Sequence, residues 1–457
     1  MYTLIAIAGL GIICLIAEIF NLRKAIVPVT ILGLLGALAL AVDDYGHTAR
    51  YYNNMVVTDN FSSAFSGLFI VLTIFLVALS PDFHKEHKAK ISDFVAIKLF
   101  LLTGAIAMVS FGNLAMFFLG IEILSIALYV LAASQPKNLK SNEAGMKYFL
   151  MGAFASGFLL FGIAMIYGAT GTFDTAAIYG ELLEKGANVP KWHFIGIVLL
   201  TIGLLFKIAA VPFHFWAPDV YEGSPALTTA TMSTLAKVAA MAAFFKLMIT
   251  LNRIVPGSYI TIISIVSILS MTVGNLTALM QTNVKRMLAF SGISHAGFML
   301  MVFFNPTLTS GTLFYYAAAY SLAGIAAFAV ILSVCGDKGN EDVYNFNGLG
   351  KRNPLMAAVL TCALLSMAGI PIFSGFFAKF FLFHQVFSTG HVAIVIIAVI
   401  NSIISVGYYF KLILAMYTKE DITEKQPTPV MYTIVAVVAI ALNIAIGLYP
   451  SFILDLI

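Results

Sequence analysis

Residues 192–220 read WHFIGIVLLTIGLLFKIAAVPFHFWAPDV, an apolar stretch that contains a single lysine and a single aspartate. A membrane-crossing helix needs about 20 apolar residues, so this stretch is too long for one plain crossing. Proline removes a backbone donor and clashes with the preceding turn, which predicts a break at Val211-Pro212-Phe213. The freed carbonyls then need partners in protein or water. The stretch therefore predicts a broken membrane helix.

The whole chain has the same apolar character. Its 457 residues are 61% hydrophobic and 10% charged, with mean hydropathy +0.98, whereas soluble domains are about 45–50% apolar and about 25% charged. This composition excludes a soluble globular protein. The net charge of +4, with no basic run interleaved with aromatic residues, excludes a nucleic-acid partner. Cys14, Cys335 and Cys362 are far apart, and Gly348-Leu349-Gly350 is a lone fragment, so no cofactor is expected in this chain.

Apolar runs bounded by polar or Gly/Pro turns recur along the chain and lack the alternating period of barrel strands. They predict an all-α polytopic membrane protein with about fourteen transmembrane helices, at 2–20, 25–42, 61–80, 92–110, 113–133, 145–169, 192–220, 227–252, 258–279, 285–304, 311–335, 353–385, 391–416 and 430–451.

Basic residues in the loops set the predicted orientation, because Lys and Arg accumulate on the cytoplasmic side. One set of alternating loops holds fourteen of them: Arg23, Lys24, Lys85, Lys88, Lys90, Lys137, Lys140, Lys285, Arg286, Lys338, Lys351, Arg352, Lys419 and Lys425. The other set holds four: Arg50, Lys185, Lys191 and Arg253. With an even number of helices, both termini are predicted to lie on the outer side.

Two groups of five helices follow the same plan. Helices four to eight and nine to thirteen each have a broken fourth helix, the second breaking at Gly369-Ile370-Pro371. An odd unit repeated consecutively inverts in the membrane, which is typical of inverted-repeat transporters. The predicted organisation is a three-helix segment at 1–91, repeats at 92–252 and 253–416, and a last helix at 417–457.

Ionisable residues in the middle of apolar runs are costly, by about 2.5–3.5 kcal/mol each, and are functional candidates. Five side chains lie at this depth: Glu122, Lys207, Lys237, His295 and Lys379. Fixed pairs that only hold helices together are one interpretation, and His295 also has a structural one. One glutamate cannot neutralise three lysines, however, so some lysine must lose its proton or contact water. Movement of Glu122 relative to Lys207 would then change that lysine's charge, as in a proton relay.

Other polar residues have weaker signals. Lys147, near the cytoplasmic end of helix six, is either a proton entrance or an anchor, and His214 beside the break at Pro212 is predicted to bond freed carbonyls. Glu18 is predicted to be solvated at the end of helix one. Three lysines near helix ends are predicted to snorkel to the interface: Lys98, Lys246 and Lys411.

Four sequence phrases carry a resemblance that covers almost the whole chain. They are FKIAAVPFHFWAPDVYEGSP at 206–225, GIEILS at 120–125, KRMLAFSGISH at 285–295 and SMAGIPIFSGFFAK at 366–379. They closely resemble the antiporter-like membrane subunits of respiratory complex I, the NADH:quinone oxidoreductase. The L and M members of that family typically carry a His followed by a Lys-Ala-Leu-Leu-Phe phrase in helix eleven. This sequence has YYAAAY at 315–320 instead and ends after helix fourteen, so it looks like the N members.

The resemblance implies a role for each matching residue. Glu122 would modulate Lys207, the lysine of the uptake half-channel; Lys237 would be the central relay; and Lys379 would face the outer half-channel, with His295 on the axis between them. It also implies no redox chemistry in this chain, with flavin, iron–sulfur clusters and quinone in partner subunits. The expected neighbours are subunits M, K and J, in a bacterial inner membrane with both termini periplasmic. A cation/proton antiporter outside complex I and an assembly scaffold stay open as alternatives.

Overall fold

The computed structural model describes residues 1–87, 91–186, 189–251, 258–306, 309–336, 340–419 and 428–456. Five residues used in the orientation argument lie outside this part: Lys88, Lys90, Arg253, Lys338 and Lys425. The described chain is a helical bundle with one antiparallel hairpin, in which β1 (Ala49–Tyr51) pairs with β2 (Val56–Thr58). Twelve helical spans within the described residues are long and apolar enough to cross a membrane.

The helices follow one another in the order that the hydropathy runs predict. The first half contains α1 (Tyr2–Ile19), α2 (Arg23–Asp43), α3 (Asn60–Ala78), α4 (Ser80–His87), α5 (Ile91–Val109), α6 (Leu114–Ala132), α7 (Leu139–Thr170), α8 (Thr175–Lys185), α9 (Lys191–Lys207), α10 (Trp216–Gly223), α11 (Ala226–Thr231) and α12 (Lys237–Leu251). The second half contains α13 (Ser258–Leu279), α14 (Val284–Met299), α15 (Ser310–Cys335), α16 (Leu349–Arg352), α17 (Pro354–Ala368), α18 (Ser374–Ser388), α19 (Val392–Thr418), α20 (Val430–Leu448) and α21 (Ser451–Leu454).

The two longest predicted runs are interrupted. The run at 192–220 forms α9 and α10, with the left-handed residue Ala209 (φ 58°) and a cis Val211–Pro212 bond between them. The run at 353–385 forms α17 and α18, separated by Gly369 (φ 88°) and Ile372 (φ 89°). A left-handed residue ends a helix because it turns the next carbonyl away from the helix axis. Twelve spans with these two interrupted segments are compatible with the predicted fourteen.

One helix boundary differs clearly from its prediction. The run at 145–169 belongs to α7, which begins at Leu139, where the Asn138 side chain accepts a hydrogen bond from the Lys140 amide. The polar first turns lowered the local hydropathy, but a capping asparagine is a good helix start. Hydropathy therefore placed this helix start several residues too late.

The two ends of the chain lie on the same side of the bundle. The Met1 amine is 3.5 Å from an Asp44 carboxylate oxygen, and the neighbouring Tyr45 hydroxyl donates to the Leu456 carbonyl at 2.8 Å. An even number of crossings requires this arrangement.

Helices α6 and α14 begin in the same way at opposite ends of the bundle. Asn113 caps α6 and forms a backbone bridge with Asp174, while Asn283 caps α14 and forms one with Asp342. The start of α14 lies beside α10 and the start of α7, which adjoins the end of α6. This inverted correspondence is compatible with the predicted repeat, which stays a prediction. Helices α14 and α15 form the centre of the bundle, since nearly all their residues are buried.

Candidate functional site

Lys207 contacts the face of α6 that carries Glu122. Lys207 is the last residue of α9, and its Nζ donates to Ser125 Oγ at 2.7 Å and to Tyr129 OH at 3.4 Å. Glu122, one turn before Ser125, accepts a hydrogen bond from Ser156 of α7 at 2.5 Å. Both ionisable residues are described, and no ion pair within 4.0 Å joins them. The lysine is therefore held on the glutamate's face of α6 without a fixed pair.

Lys237 lies at the centre of the bundle. It follows a π-helical turn, Met232–Ala236, and is 2% exposed. Its Nζ is 5.8 Å from the centre of the Tyr221 ring and has no hydrogen-bond partner among the described residues. A buried unpartnered amine is costly, so packing alone does not explain a lysine here. The wide π turn is a local irregularity that is frequent at functional sites.

His295 on α14 is held between two tyrosines. Its Nδ1 is 2.7 Å from Tyr316 OH and its Nε2 is 3.2 Å from Tyr409 OH. Tyr409 in turn shares a 2.5 Å hydrogen bond with Ser291, and the Tyr320 ring centre is 4.8 Å from that of His295. A small cavity lined by His295, Tyr316 and Tyr320 reaches the break before α18 and has room for about one water molecule.

Lys379 lies at the second helix break and hydrogen-bonds across it to the end of α17. It lies on α18, 5% exposed, and its Nζ donates to the Ala368 carbonyl at 2.9 Å and to Ser402 Oγ at 3.0 Å. The Phe298 ring centre is 5.0 Å away. Ala368 is the last residue of α17, so the lysine satisfies one of the carbonyls that a helix end leaves free. The negative end of the helix dipole also favours a cation there.

Lys147 belongs to an ion-pair cluster at the start of α7. Its side chain is 41% exposed and pairs with Glu143 at 2.7 Å and Asp219 at 3.0 Å, while Arg286 contacts Asp219 at 2.7 Å and Glu222 at 3.1 Å. Burial alone raises the pKa of Asp219, but hydrogen bonds from Arg286 and Lys147 outweigh it and hold that pKa below its ordinary value. The cluster lines a polar cleft of about 150 Å³.

His214 lies in the first break, as predicted. Its ring is buried, two residues after Pro212, at which the helix is interrupted. The role of bonding the carbonyls freed at the break stays a prediction.

Two predictions for single charges are wrong. Lys98 does not snorkel: it is 3% exposed and donates to Ser80 Oγ at 2.7 Å and to the Leu76 carbonyl at 3.4 Å. Lys246 Nζ pairs at 2.9 Å with the partly exposed Asp59 that caps α3, and its snorkelling stays a prediction. Glu18, predicted to be solvated, contacts Arg23 and Ser92. Each prediction treated a helix alone, whereas neighbouring segments supply polar partners. Lys411 is at the interface as predicted and donates to the Gln281 carbonyl at 2.8 Å.

The tyrosines around His295 are site residues that the sequence alone did not single out. Tyr316 and Tyr320 are four residues apart on α15 and so share one helix face. That spacing, in a run otherwise rich in alanine, was the available signal. Lys285 is also more buried than a loop position implies, and it pairs with Glu341 at 3.0 Å.

Comparison with known proteins gives the family. The family described as NADH:quinone oxidoreductase/Mrp antiporter, TM, matches residues 112–405. The NADH-quinone oxidoreductase subunit N of Flavobacterium johnsoniae is 67% identical over 463 residues, covering 100% of both chains. The chain belongs to the family of NADH-quinone oxidoreductase N subunits. The N subunit of Cytophaga hutchinsonii is 44% identical, over 100% of this chain and 99% of its own.

Solved structures share the fold with this N-subunit family member. A chain of the respiratory complex I from Thermus thermophilus with bound aureothin is 31% identical with a TM-score of 0.87, covering 99% of this chain and 98% of that one. A chain of the Mrp complex from Dietzia sp. is 21% identical with a TM-score of 0.85, over 99% and 94%. At that identity the second likeness shows the fold alone. Across the described residues, no cluster of His, Cys, Asp or Glu is placed to hold a metal ion.

Proposed function

We propose that the chain carries protons across the membrane through a buried axis of Glu122, Lys207, Lys237, His295 and Lys379. It would do so as a subunit of NADH:quinone oxidoreductase. Oxidation of NADH and reduction of quinone would take place in partner subunits that hold flavin and iron–sulfur clusters. The proposed neighbours are subunits M, K and J, and the proposed location is a bacterial inner membrane with both termini periplasmic.

The observation that carries the proposal is the state of three buried lysines near the middle of the predicted membrane runs. Lys207, Lys237 and Lys379 are each less than 10% exposed, and none has a carboxylate within ion-pair distance among the described residues. Permanent buried charges need such partners. Lysines without them suit a role in which each gains and loses a proton in turn.

Each lysine has surroundings suited to a different step. Lys207 shares a face of α6 with Glu122, so a change at that carboxylate alters its electrostatic environment. Lys237 occupies the centre, and Lys379 lies at the helix end in the second break. The units 92–252 and 253–416 would then be inverted repeats, each supplying one broken helix to the axis.

The second candidate is a cation/proton antiporter that works outside complex I. The matching family includes Mrp antiporters, and the fold is shared with a chain of an Mrp complex. The high identity to chains named NADH-quinone oxidoreductase subunit N favours the first candidate.

Purification from native membranes separates the two candidates. A tagged copy would be isolated in mild detergent, its co-purifying chains identified, and NADH:quinone activity assayed. We expect flavin and iron–sulfur subunits together with that activity. Isolation with other antiporter chains and no activity would instead support the secondary transporter.

A further inference from the structure

An asparagine on α13, Asn275, joins that helix to α19 at two points. Its side-chain nitrogen donates to the backbone carbonyl of Asn401 at 2.9 Å and to the Asn401 side-chain oxygen at 3.2 Å, and its own oxygen accepts a hydrogen bond from Tyr408 OH at 3.1 Å. All three residues are buried. An asparagine side chain has two N–H donors and one oxygen acceptor, so each polar group of Asn275 has a partner. A buried amide is costly unless it is bonded in this way, so the network favours one arrangement of the two helices.

The two points determine how α19 is rotated about its axis. Asn401 and Tyr408 are seven residues apart, about two turns, and so lie on one face of α19. Contacts two turns apart with a single side chain oppose both rotation of α19 and sliding of α19 along α13. Successive residues of a helix point about 100° apart around its axis, so Tyr409 faces a different neighbour from Tyr408. That neighbour is α14, where Tyr409 OH is 3.2 Å from His295 Nε2 and shares a hydrogen bond with Ser291.

Helix α13 is also held closely against α14. A Cβ atom at Gly274 would lie 2.7 Å from the backbone nitrogen of Ser294 and 2.8 Å from the carbonyl oxygen of Phe290. The glycine therefore lets the two backbones approach, as small residues do between membrane helices. Asn275 directly follows Gly274, and His295 directly follows Ser294. The helices α13, α14 and α19 thus contact one another in pairs, with Asn275 at the contact between α13 and α19.

We infer that Asn275 is a positioning residue for proton transfer, which sets the rotation of α19 at which Tyr409 meets His295. The inference rests on the proposed function, in which His295 lies on the proton axis. The hydrogen bonds of the Asn275 side chain all go to α19, so it acts through that helix. A hydrogen bond weakens steeply as its angle departs from linear, so a small rotation of α19 weakens the contact between Tyr409 and His295 while the helices stay packed.

The test measures NADH-driven proton uptake by liposomes that hold the assembled complex. Uptake is divided by NADH oxidation with an artificial electron acceptor, which reports the amount of complex. Asn275→Leu keeps a similar volume and removes all three hydrogen bonds. We expect uptake to fall about fivefold, the effect of one neutral hydrogen bond lost at the positioned contact. Tyr408→Phe removes one of the two points without adding volume, and we expect a loss of about twofold, a result that also stands where Asn275→Leu fails to assemble.

A double variant separates positioning from a general loss of packing. Tyr409→Phe removes the hydroxyl that meets His295, and we expect a loss of about fivefold. Where Asn275 acts through that hydroxyl, the variant with both Asn275→Leu and Tyr409→Phe should lie within about twofold of Tyr409→Phe alone, because the effects of coupled residues do not add. Independent effects would multiply to a loss of about 25-fold.

Tyr259→Phe is the matched control for Tyr408→Phe. Tyr259 is a buried tyrosine on α13, and its hydroxyl is 3.1 Å from Thr201 Oγ1 on α9. The variant therefore also loses a buried hydrogen bond between helices. Tyr259 lies sixteen residues before Asn275, about 24 Å along α13, and we expect uptake close to wild type.

The contrary outcomes are distinct. Wild-type uptake by Asn275→Leu or by Tyr408→Phe, a loss of about 25-fold in the double variant, or equal losses for Tyr259→Phe and Tyr408→Phe would overturn the positioning role. Any of these results alongside an impaired Lys207→Met complex would leave the proposed function standing. Wild-type uptake by Lys207→Met would remove the proposed function itself.

Discussion

The ion pair between Lys285 and Glu341 lies within the second proposed repeat, and a hydrogen bond from Lys285 ties it to Ser224 of the first. These contacts yield the sharpest stability prediction. Lys285 Nζ is 3.0 Å from Glu341 Oε1, with side chains 4% and 13% exposed, and it also donates to the Ser224 carbonyl at 2.8 Å. The contact holds the segment after α15, the start of α14 and the α10–α11 junction together. Removing the ion pair should weaken the packing of these three segments against one another.

The expected magnitude follows from the burial of the pair. Glu341→Leu leaves a buried charge with one carbonyl partner, and breaking such a pair costs about 3–5 kcal/mol. Glu341→Gln keeps an oxygen acceptor and should cost about 1–3 kcal/mol. The double variant Lys285→Met with Glu341→Leu removes both charges and should return to within about 1–2 kcal/mol of wild type.

The assay is the rate of thermal inactivation of the purified complex at one temperature, because large assemblies unfold irreversibly. A loss of about 3 kcal/mol corresponds to inactivation more than about 100-fold faster when the contact breaks before the rate-limiting step. Lys85→Met is the control, since its pair with Asp82 is exposed on the lysine side and worth little. If Glu341→Leu inactivates no faster than Lys85→Met, or if the double variant is worse than either single one, the reasoning is refuted.

Three further predictions concern other contacts. Asp59 caps α3 by accepting a hydrogen bond from the Ser62 amide at 2.7 Å, and it pairs with Lys246. The complex with Asp59→Ala should inactivate faster than the complex with Asp59→Asn, because asparagine keeps the cap, which is worth about 1 kcal/mol. Equal inactivation rates would contradict this. Tyr316→Phe removes the 2.7 Å partner of His295 Nδ1 and should slow proton uptake more than it slows electron transfer to an artificial acceptor; a proportional decrease would argue against it. Because the pKa of Asp219 is lowered, its carboxylate stays charged and its ion pairs stay intact at any pH above the ordinary carboxyl range, and they are lost only as the pH falls through the lowered value. The ratio of the inactivation rates of Asp219→Asn and wild type should therefore be the same at pH 6 and at pH 8. A ratio that changes between these two pH values would be inconsistent with a lowered pKa.

Local sequence signals predicted the elements of the fold well. Apolar length gave the helices, and Pro212 and Pro371 marked both interruptions, because proline and glycine act on their own segment of chain. The left-handed residue Ala209 had no such signal, since alanine normally favours helix. The late start predicted for α7 has a similar cause, as hydropathy does not register a polar helix end.

The site was only partly predictable, because its contacts join distant segments. The free-energy cost of an ionisable side chain in an apolar run marks five residues: Glu122, Lys207, Lys237, His295 and Lys379. The partners of these side chains depend on how each helix is rotated about its axis. The sequence does not give that rotation. Lys98 shows the limit, since its partners Leu76 and Ser80 come from two other helices, α3 and α4.

Lys207→Met tests the proton-relay account most directly, with Lys98→Met as a matched loss of a buried lysine outside the proposed axis. The measurement is the number of protons translocated per NADH oxidised by the assembled complex in sealed liposomes. The account predicts a lower ratio for Lys207→Met and the wild-type ratio for Lys98→Met. A wild-type ratio for an assembled Lys207→Met complex would contradict the account.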